Sequence, residues 1–221
     1  MKTVILAGGK GTRLGKNDKP KPMVEIGGRP ILDHIIFHYN KYGYHEFIIA
    51  AGYQGEQIVE YYKYNRNVTV IDTGLDTPTG GRIKKLRNLL DSTFFLTYGD
   101  GVSGINLARL REFHDYSGRI ATVTVVHPPA RFGNVEIGQD DEVLSFAEKK
   151  KVGSGWLNAG FFVMEPNAIN FMKEDRPLES FSLSLLASEH QLSAYRYYGF
   201  WQCMDTPRDV EYLNNYYGGK E

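Results

Sequence analysis

TVILAGGKGTRLGKNDKPKPM, residues 3–23, sets a short apolar run directly against three glycines, an arginine and two Lys-Pro pairs. Thr3 to Ala7 alternate little between apolar and polar, as expected of a strand buried on both faces of a parallel sheet. Gly8, Gly9 and Gly11 remove the Cβ atoms where the chain must turn, which frees backbone N–H groups to face a ligand. Arg13, Lys19 and Lys21 bring positive charge close behind. A bare backbone nest beside several cations suits a polyphosphate. A loop that needs glycine only for tight geometry is the bland alternative.

Two glycine signatures are excluded. The dinucleotide fingerprint G-x-G-x-x-G fails because Gly9-Lys10-Gly11-Thr12-Arg13 runs into Leu14, and an oxidoreductase reading falls with it. The P-loop fails as well, since no glycine is followed by Lys and then Ser or Thr at its spacing.

A chain of 221 residues, 42% hydrophobic and 24% charged, is expected to fold as one large α/β domain with an ordinary core. Its 26 basic and 26 acidic residues balance, so nonspecific nucleic-acid binding has no electrostatic footprint in the totals. Cys203 is the single cysteine, which precludes an intrachain disulfide and fits a reducing compartment. No signal peptide and no apolar run of bilayer-spanning length is present, and a cytoplasmic protein is expected.

Beyond the opening loop, PILDHIIFHYNKYG predicts a helix begun by Pro30 and ended near Gly43. EFIIAAG, NVTVIDT, STFFLTYGDG and RIATVTVV read as strands; EQIVEYYKY, GGRIKKLRNLL and INLARLREFHDY read as the helices between them. Such alternation predicts a parallel sheet wrapped by helices, with the ligand site at the strands' carboxyl ends. After His127, FGNVEI, EVLSFAE and GWLNAGFFVME predict shorter strands, some antiparallel. PNAINFMK and ESFSLSLLASEH predict helices, SAYRYYGFW a late strand, and TPRDVEYLNNYY a closing helix capped by Thr206 before Pro207. The second half is expected to continue the sheet and add a lobe over its mouth. Residues 1–126 then form a nucleotide-binding half and 127–221 an acceptor-binding half.

A polyphosphate on the first loop calls for a divalent cation. Asp100, in TYGDG, follows a predicted strand at the ligand edge, and Asp205, in WQCMDTPRD, follows another just before a helix. Two hard carboxylates suit Mg²⁺, which completes its shell with phosphate and water oxygens. A turn residue at Asp100 and a turn or cap residue at Asp205 are the alternatives. Glu148-Lys149-Lys150-Lys151 reads as a solvated turn, although one lysine at a strand end could neutralise an acceptor phosphate. LNAGFF offers Asn158 and the backbone at Gly160 to hydroxyls. His34 and His38 share a helix face but lack the glutamate of a zinc-protease helix, and Cys203 is expected to pack.

The segments ILAGGKGTRL, KPKPMVEIGGRPIL, IIAAGYQGE, VIDTGLDTPTGGRIKKL, FLTYGDGV, PPARFGNVEI, LNAGFFVMEP and GFWQCMDTPRD run in order through nearly the whole chain. Together they resemble the sugar-phosphate nucleotidylyltransferases, most closely the glucose-1-phosphate cytidylyltransferases. The resemblance implies a Rossmann-like fold with a mixed, mostly parallel central sheet and a small sugar-phosphate-binding lobe. It further implies Mg²⁺-dependent transfer of CMP from CTP to a phosphorylated acceptor, with release of pyrophosphate. Leu6, Ala7, Gly8, Gly9, Gly11, Thr12, Arg13 and Lys21 then hold the nucleotide, and Thr79, Gly80 and Gly81 form the turn that approaches the base. Asp100 and Asp205 match the metal carboxylates. Tyr98, Gly133, Glu148, Lys149, Asn158 and Gly160 fall in the acceptor pocket, and Arg13, Lys21 and Lys149 stabilise charge during transfer.

The match has departures. Lys150 stands where the family usually has proline after Glu-Lys. The segment between EYYKY and NVTVIDTG is shorter than in the glucose-1-phosphate enzymes, where an insertion contributes to subunit contacts, and the carboxyl end is clipped. A homo-oligomer is still expected. CTP is therefore better supported than glucose 1-phosphate, and the acceptor could be another hexose, ketose or polyol phosphate, or a phosphorylated non-sugar metabolite. A nucleotide-sensing module without turnover is the rival of a different class, and retention of Asp100, Asp205, Lys21 and Lys149 argues against it.

Overall fold

The computed structural model describes residues 1–15, 18–127, 134–137, 139, 141–147 and 155–219, with 13, 134–136, 146 and 147 described by their backbone alone. The chain begins with β1 (Lys2–Leu6), the 3-10 turns Thr12–Leu14 and Lys21–Met23, and the tiny hairpin β2 (Glu25–Ile26) and β3 (Arg29–Pro30). Helix α1 (Ile31–Asn40), β4 (Glu46–Ala51), α2 (Gly55–Tyr62), β5 (Val68–Asp72), α3 (Thr79–Lys85) and β6 (Phe94–Tyr98) then alternate. After β7 (Gly101–Ser103) come α4 (Leu107–Ser117), β8 (Ala121–Val126), the hairpin β9 (Asn134–Ile137) and β10 (Val143–Ala147), and β11 (Leu157–Met164). The chain closes with α5 (Leu183–Ser188), β12 (Leu192–Tyr197), β13 (Trp201–Cys203) and α6 (Pro207–Gly218).

Seven strands form the central sheet in the order β12-β8-β11-β6-β1-β4-β5. All run parallel except β11, which lies antiparallel between β6 and β8. This is the mostly parallel, helix-flanked, Rossmann-like architecture that the alternating pattern predicts. Apolar residues cover both sheet faces: Ile31, Leu32 and Ile35 of α1 with Leu107, Leu110 and Leu213 on one, Ile83, Leu86, Leu178 and Leu186 on the other. Val4, Ile5, Phe95, Leu96 and Phe162 are fully buried between them, which explains why these strands read as continuous apolar runs. Among the described residues no helix is long and apolar enough to cross a membrane.

Three expectations change. SAYRYYGFW is two strands: β12 joins the main sheet beside β8, whereas β13 pairs antiparallel with β7. The chain divides at Tyr198–Phe200 because Phe200 stacks on Tyr216 at 4.0 Å and Trp201 Nε1 donates to the Ala159 carbonyl at 2.8 Å. PNAINFMK is a 3-10 turn over Pro166–Phe171 and not an α-helix. ESFSLSLLASEH opens with a one-turn π-helix, Leu178–Ser182, before α5.

Gly81 illustrates how the second half grips the first. A Cβ on Gly81 would fall 2.2 Å from the Glu174 carbonyl oxygen, and one on Gly80 would fall 2.6 Å from that of Arg176. The start of α3 therefore packs backbone-to-backbone on the segment that leads to the π-helix. Gly81→Ala is expected to lower unfolding free energy by about 1–3 kcal/mol, since backbone cannot retreat as a side chain does. Gly9→Ala, which meets nothing within 4 Å, should leave the urea midpoint nearly unchanged. Equal midpoints for the two variants would contradict this packing.

Candidate active site

The carboxyl ends of β1 and β6 lie side by side, so the loops that follow them share one edge of the sheet. Asp100 sits in the turn between β6 and β7, and the Gly99 N–H donates to Leu6 O at 2.9 Å. Pairing of β13 with β7 brings the carboxyl-terminal region to the same place: the Met204 N–H donates to Asp100 O at 2.8 Å. Asp205 follows at once. It is not the cap of α6; Thr206 accepts from Asp209 N while the Asp209 side chain accepts from the Thr206 N–H.

Lys21 joins the two carboxylates. Its Nζ donates to Asp100 Oδ2 at 2.5 Å and to Asp205 Oδ1 at 2.6 Å. The stem reaches them beneath the glycine loop, where Gly11 is left-handed (φ 59°) and an added Cβ would lie 2.8 Å from Lys21 Cβ. Burial works against the ammonium, but the charges and hydrogen bonds of Asp100 and Asp205 outweigh it and hold its pKa above the ordinary 10.5. Two hard oxygen donors thus converge on one cation at the mouth of a cleft. Among the described residues no group of three or more His, Cys, Asp or Glu side chains forms a closed metal cage. The pair suits a divalent cation that draws its remaining ligands from phosphate and water.

The cleft encloses about 1440 Å³ and is lined by Leu6, Ala7, Gly8, Gly9, Gly11, Thr12, Lys21, Thr79, Tyr98, Asp100, Asn158, Gly160 and Asp205. That volume exceeds the roughly 300–1,000 Å³ of a pocket for one small ligand. Gly80 and Gly81 are not part of the lining, since they turn toward segment 174–178. Arg13 lies in the 3-10 turn that follows Gly11. Gly133, Glu148, Lys149 and Lys150 lie outside the described residues.

Two lining residues escaped the sequence reading. Arg82, buried in α3, donates from Nη1 to Ala51 O (2.8 Å), Thr73 Oγ1 (2.6 Å) and Gly74 O (2.9 Å). From Nη2 it donates to Gly8 O (2.9 Å) and Leu75 O (3.2 Å). All five acceptors are carbonyl or hydroxyl oxygens, so the guanidinium stitches the ends of β1, β4 and β5 together. Burial lowers its pKa and the charge of Asp72 opposes that shift. A signal was available: in the helix predicted for GGRIKKLRNLL, Arg82 stands four and eight residues before Leu86 and Leu90, both of which are buried. The second residue, Glu179, accepts hydrogen bonds from Tyr98 and Thr79, both at 2.7 Å. Burial, with the Glu179 charge beside it, holds the Tyr98 phenol well above its ordinary range, so Tyr98 acts as a hydroxyl donor. No pattern around ESF announces this pairing.

Of the weaker candidates, His34 Nε2 lies 2.8 Å from the Ile26 carbonyl, a structural contact at the β2–β3 hairpin. Cys203 borders the cleft with its Sγ 3.8 Å from Asp205 Oδ2.

A parallel sheet whose mouth carries a glycine loop and two converging carboxylates defines a nucleotide-handling transferase scaffold. The chain belongs to the nucleotidyl transferase family, which it matches over residues 2–200. It is 42% identical over 243 aligned positions to the glucose-1-phosphate cytidylyltransferase of Salmonella typhi, covering 96% of this chain and 94% of that one. The enzyme of the same name from Salmonella typhimurium (strain LT2) matches with the same identity and coverage. Among solved structures, HddC from Yersinia pseudotuberculosis complexed with GMP-PN superposes with a TM-score of 0.75 at 25% identity, covering 98% of this chain and 99% of that one.

The electrostatics of the carboxylate pair can be read through Cys203. Burial first, then the charges of Asp205 and Asp100, push its thiol up to about 11. Little thiolate forms near neutrality, so iodoacetamide at about pH 8 should alkylate the folded protein about tenfold or more slowly than the urea-unfolded chain. Asp205→Asn should speed the folded reaction. Equal rates in all three samples would refute the assignment of charge to this edge.

Proposed function

We propose that the protein is a CTP:sugar-phosphate cytidylyltransferase, which uses Mg²⁺ to transfer CMP from CTP to a phosphorylated sugar and release pyrophosphate. The observation that carries the proposal is the convergence of Asp100 and Asp205 on Lys21 beside the glycine loop, in a chain so similar to glucose-1-phosphate cytidylyltransferases along its length. Glucose 1-phosphate or a related sugar phosphate is the acceptor class; a ketose, polyol or amino-acid phosphate is the alternative. Residues 1–126 serve mainly the nucleotide and 127–221 the acceptor. The single cysteine supports a cytoplasmic setting, and the exposed Phe37, Tyr61 and Tyr64 offer apolar surface for contacts in a homo-oligomer.

The chemistry needs no protein nucleophile. An oxygen of the acceptor phosphate attacks the α-phosphorus of CTP in line, the bond to the bridging oxygen breaks, and pyrophosphate leaves with the electron pair. The amides of Gly8–Thr12 and the side chain of Arg13 bind the triphosphate. Lys21 contributes positive charge where the pentavalent transition state gathers negative charge. Asp100 and Asp205 would hold Mg²⁺, whose charge would neutralise the phosphate oxygens when bound. Thr79 borders the base, Tyr98, Asn158 and the Gly160 backbone orient acceptor hydroxyls, and Glu148 and Lys149 hold its phosphate end. Orientation of two bound substrates supplies most of the rate advantage.

Asp100→Asn and Asp205→Asn should each reduce pyrophosphate release by about a hundredfold or more, because an amide keeps the shape but not the charge. Circular dichroism should show both variants folded. With wild-type protein and a sugar-phosphate panel, kcat/KM for CTP should exceed that for GTP by about tenfold or more, as the similarity to cytidylyltransferases implies. Equal values for CTP and GTP would overturn the nucleotide assignment, and full activity in both aspartate variants would overturn the metal assignment.

A further inference from the structure

Glu179 has no task in the reaction just described, although it lines the same cleft. It lies in the π-helical turn Leu178–Ser182 and accepts from Tyr98 Oη and from Thr79 Oγ1, each at 2.7 Å. Tyr98 Oη in turn accepts from Asn158 Nδ2 at 3.2 Å, and Asn158 Oδ1 accepts from the Gly160 N–H at 2.8 Å. At the other end, the Leu178 N–H donates to Thr79 Oγ1 at 2.8 Å. A continuous arc of hydrogen bonds therefore runs from the rim of α3, across the cleft wall, to the bulged start of β11.

Hydrogen-bonding chemistry fixes the direction of every proton in this arc. A backbone N–H can only donate, so Asn158 must present its oxygen to Gly160 and its nitrogen to Tyr98. The Tyr98 oxygen is then an acceptor on that side, and its one proton goes to Glu179. The Leu178 N–H likewise uses Thr79 as an acceptor and sends the Thr79 proton to Glu179. Two hydroxyl donors meet at one group, and an ionised carboxylate is the side chain that accepts from both. A glutamine of the same shape has one accepting oxygen and a donating nitrogen, so it satisfies one hydroxyl and confronts the other with a second donor.

The two ends are not equally vulnerable. Thr79 keeps its bond to the Leu178 N–H when Glu179 changes. Tyr98, among the described residues, sends its proton to Glu179 alone, and Asn158, anchored at Oδ1 by the Gly160 N–H, has Tyr98 as the partner of its Nδ2. Damage at Glu179 should therefore appear at Asn158, on the acceptor side, more than at the nucleotide. We propose that Glu179 is the positioning residue of the acceptor pocket: it holds Tyr98 so that the second Nδ2 hydrogen of Asn158 is presented to an acceptor hydroxyl. The assignment deepens the cytidylyltransferase reading and rests on it for the identity of the ligand.

The test joins kinetics to a signal that needs no turnover. With saturating CTP and glucose 1-phosphate as the probe, Glu179→Gln should raise the acceptor KM about tenfold, the lower end for a hydrogen bond to a charged group that faces solvent. The KM for CTP should change by less than about threefold. In an Asn158→Ala background the same substitution should add almost nothing, because its effect passes through Asn158. The side-chain amide resonances of Asn158, assigned by their loss in Asn158→Ala, should shift in substrate-free Glu179→Gln and shift similarly in Tyr98→Phe. Multiplicative effects of Glu179→Gln and Asn158→Ala on the acceptor KM would show that Glu179 acts independently and would overturn the proposal. Unmoved Asn158 resonances in both variants would overturn it too. If wild-type protein releases no pyrophosphate from CTP with any sugar phosphate, the cytidylyltransferase reading falls, and the amide resonances still decide whether Glu179 orients Asn158.

Discussion

One ammonium group holds the active edge together. Asp100 and Asp205 carry the same charge and come from the middle and last thirds of the chain, and Lys21 comes from the first. Carboxylates brought this close repel unless a cation lies between them. Lys21 supplies it with two bonds of 2.5 and 2.6 Å, and its side chain is only 11% exposed. Removing a charge of this kind leaves its partners uncompensated, which is far costlier than never having had the pair. The segments carrying Lys21, Asp100 and Asp205 are thus tied at one point by an electrostatic requirement, which adds to the backbone pairing of β13 with β7. The three groups still sum to one negative charge, so the edge retains attraction for a further cation.

Arg82 performs the complementary service behind the glycine loop, by different means. Its charge is solvated by four backbone carbonyls and a hydroxyl instead of carboxylates, and five acceptors from three segments of the chain are drawn to one planar fork. The Gly8 carbonyl faces this fork and also accepts from the Tyr53 N–H at 3.1 Å. Because a trans peptide sets C=O and N–H on opposite sides, the Gly9 N–H of that peptide points the other way. Gly9 itself lines the cleft. A buried cation behind the loop therefore helps to present amide hydrogens to an anion in front of it.

The sequence made much of this legible, and the reasons for the rest are physical. The apolar β1, the glycine turn and the strand–helix alternation are local patterns, and they recur in the structure at nearly the expected residues. Asp100 and Asp205 were identifiable because each follows a strand, the one in a turn and the other just before a helix, which places a side chain at the ligand edge. Arg82 looked like one more basic residue among Lys84 and Lys85, although its position on a buried stripe set it apart. Glu179 was invisible, since its partners Thr79 and Tyr98 lie 100 and 81 positions away. Gly80 and Gly81 suggested a base-facing turn; they serve a close contact with segment 174–178 that no local pattern encodes. The split of SAYRYYGFW depends on stacking with Tyr216 in α6, again a distant partner.

The one antiparallel strand of the central sheet, β11, explains how a single edge can serve two substrates. In a wholly parallel sheet the carboxyl ends of the strands face the ligand, and the amino ends lie on the far side. Asn158 and Gly160 sit near the amino end of β11, and there they would be remote from Asp100. Because β11 runs against β6, with Phe161 opposite Thr97 and Met164 opposite Phe94, its start is carried to the mouth of the sheet. A register shift between Asn158 and Phe162, with Gly160 left-handed at φ 78°, then bends the strand over Tyr98. Trp201 anchors that bend through the Ala159 carbonyl. Transfer between two phosphate-bearing molecules requires both at one place and in one orientation, and reversal of one strand brings residues from both halves of the sheet to that place.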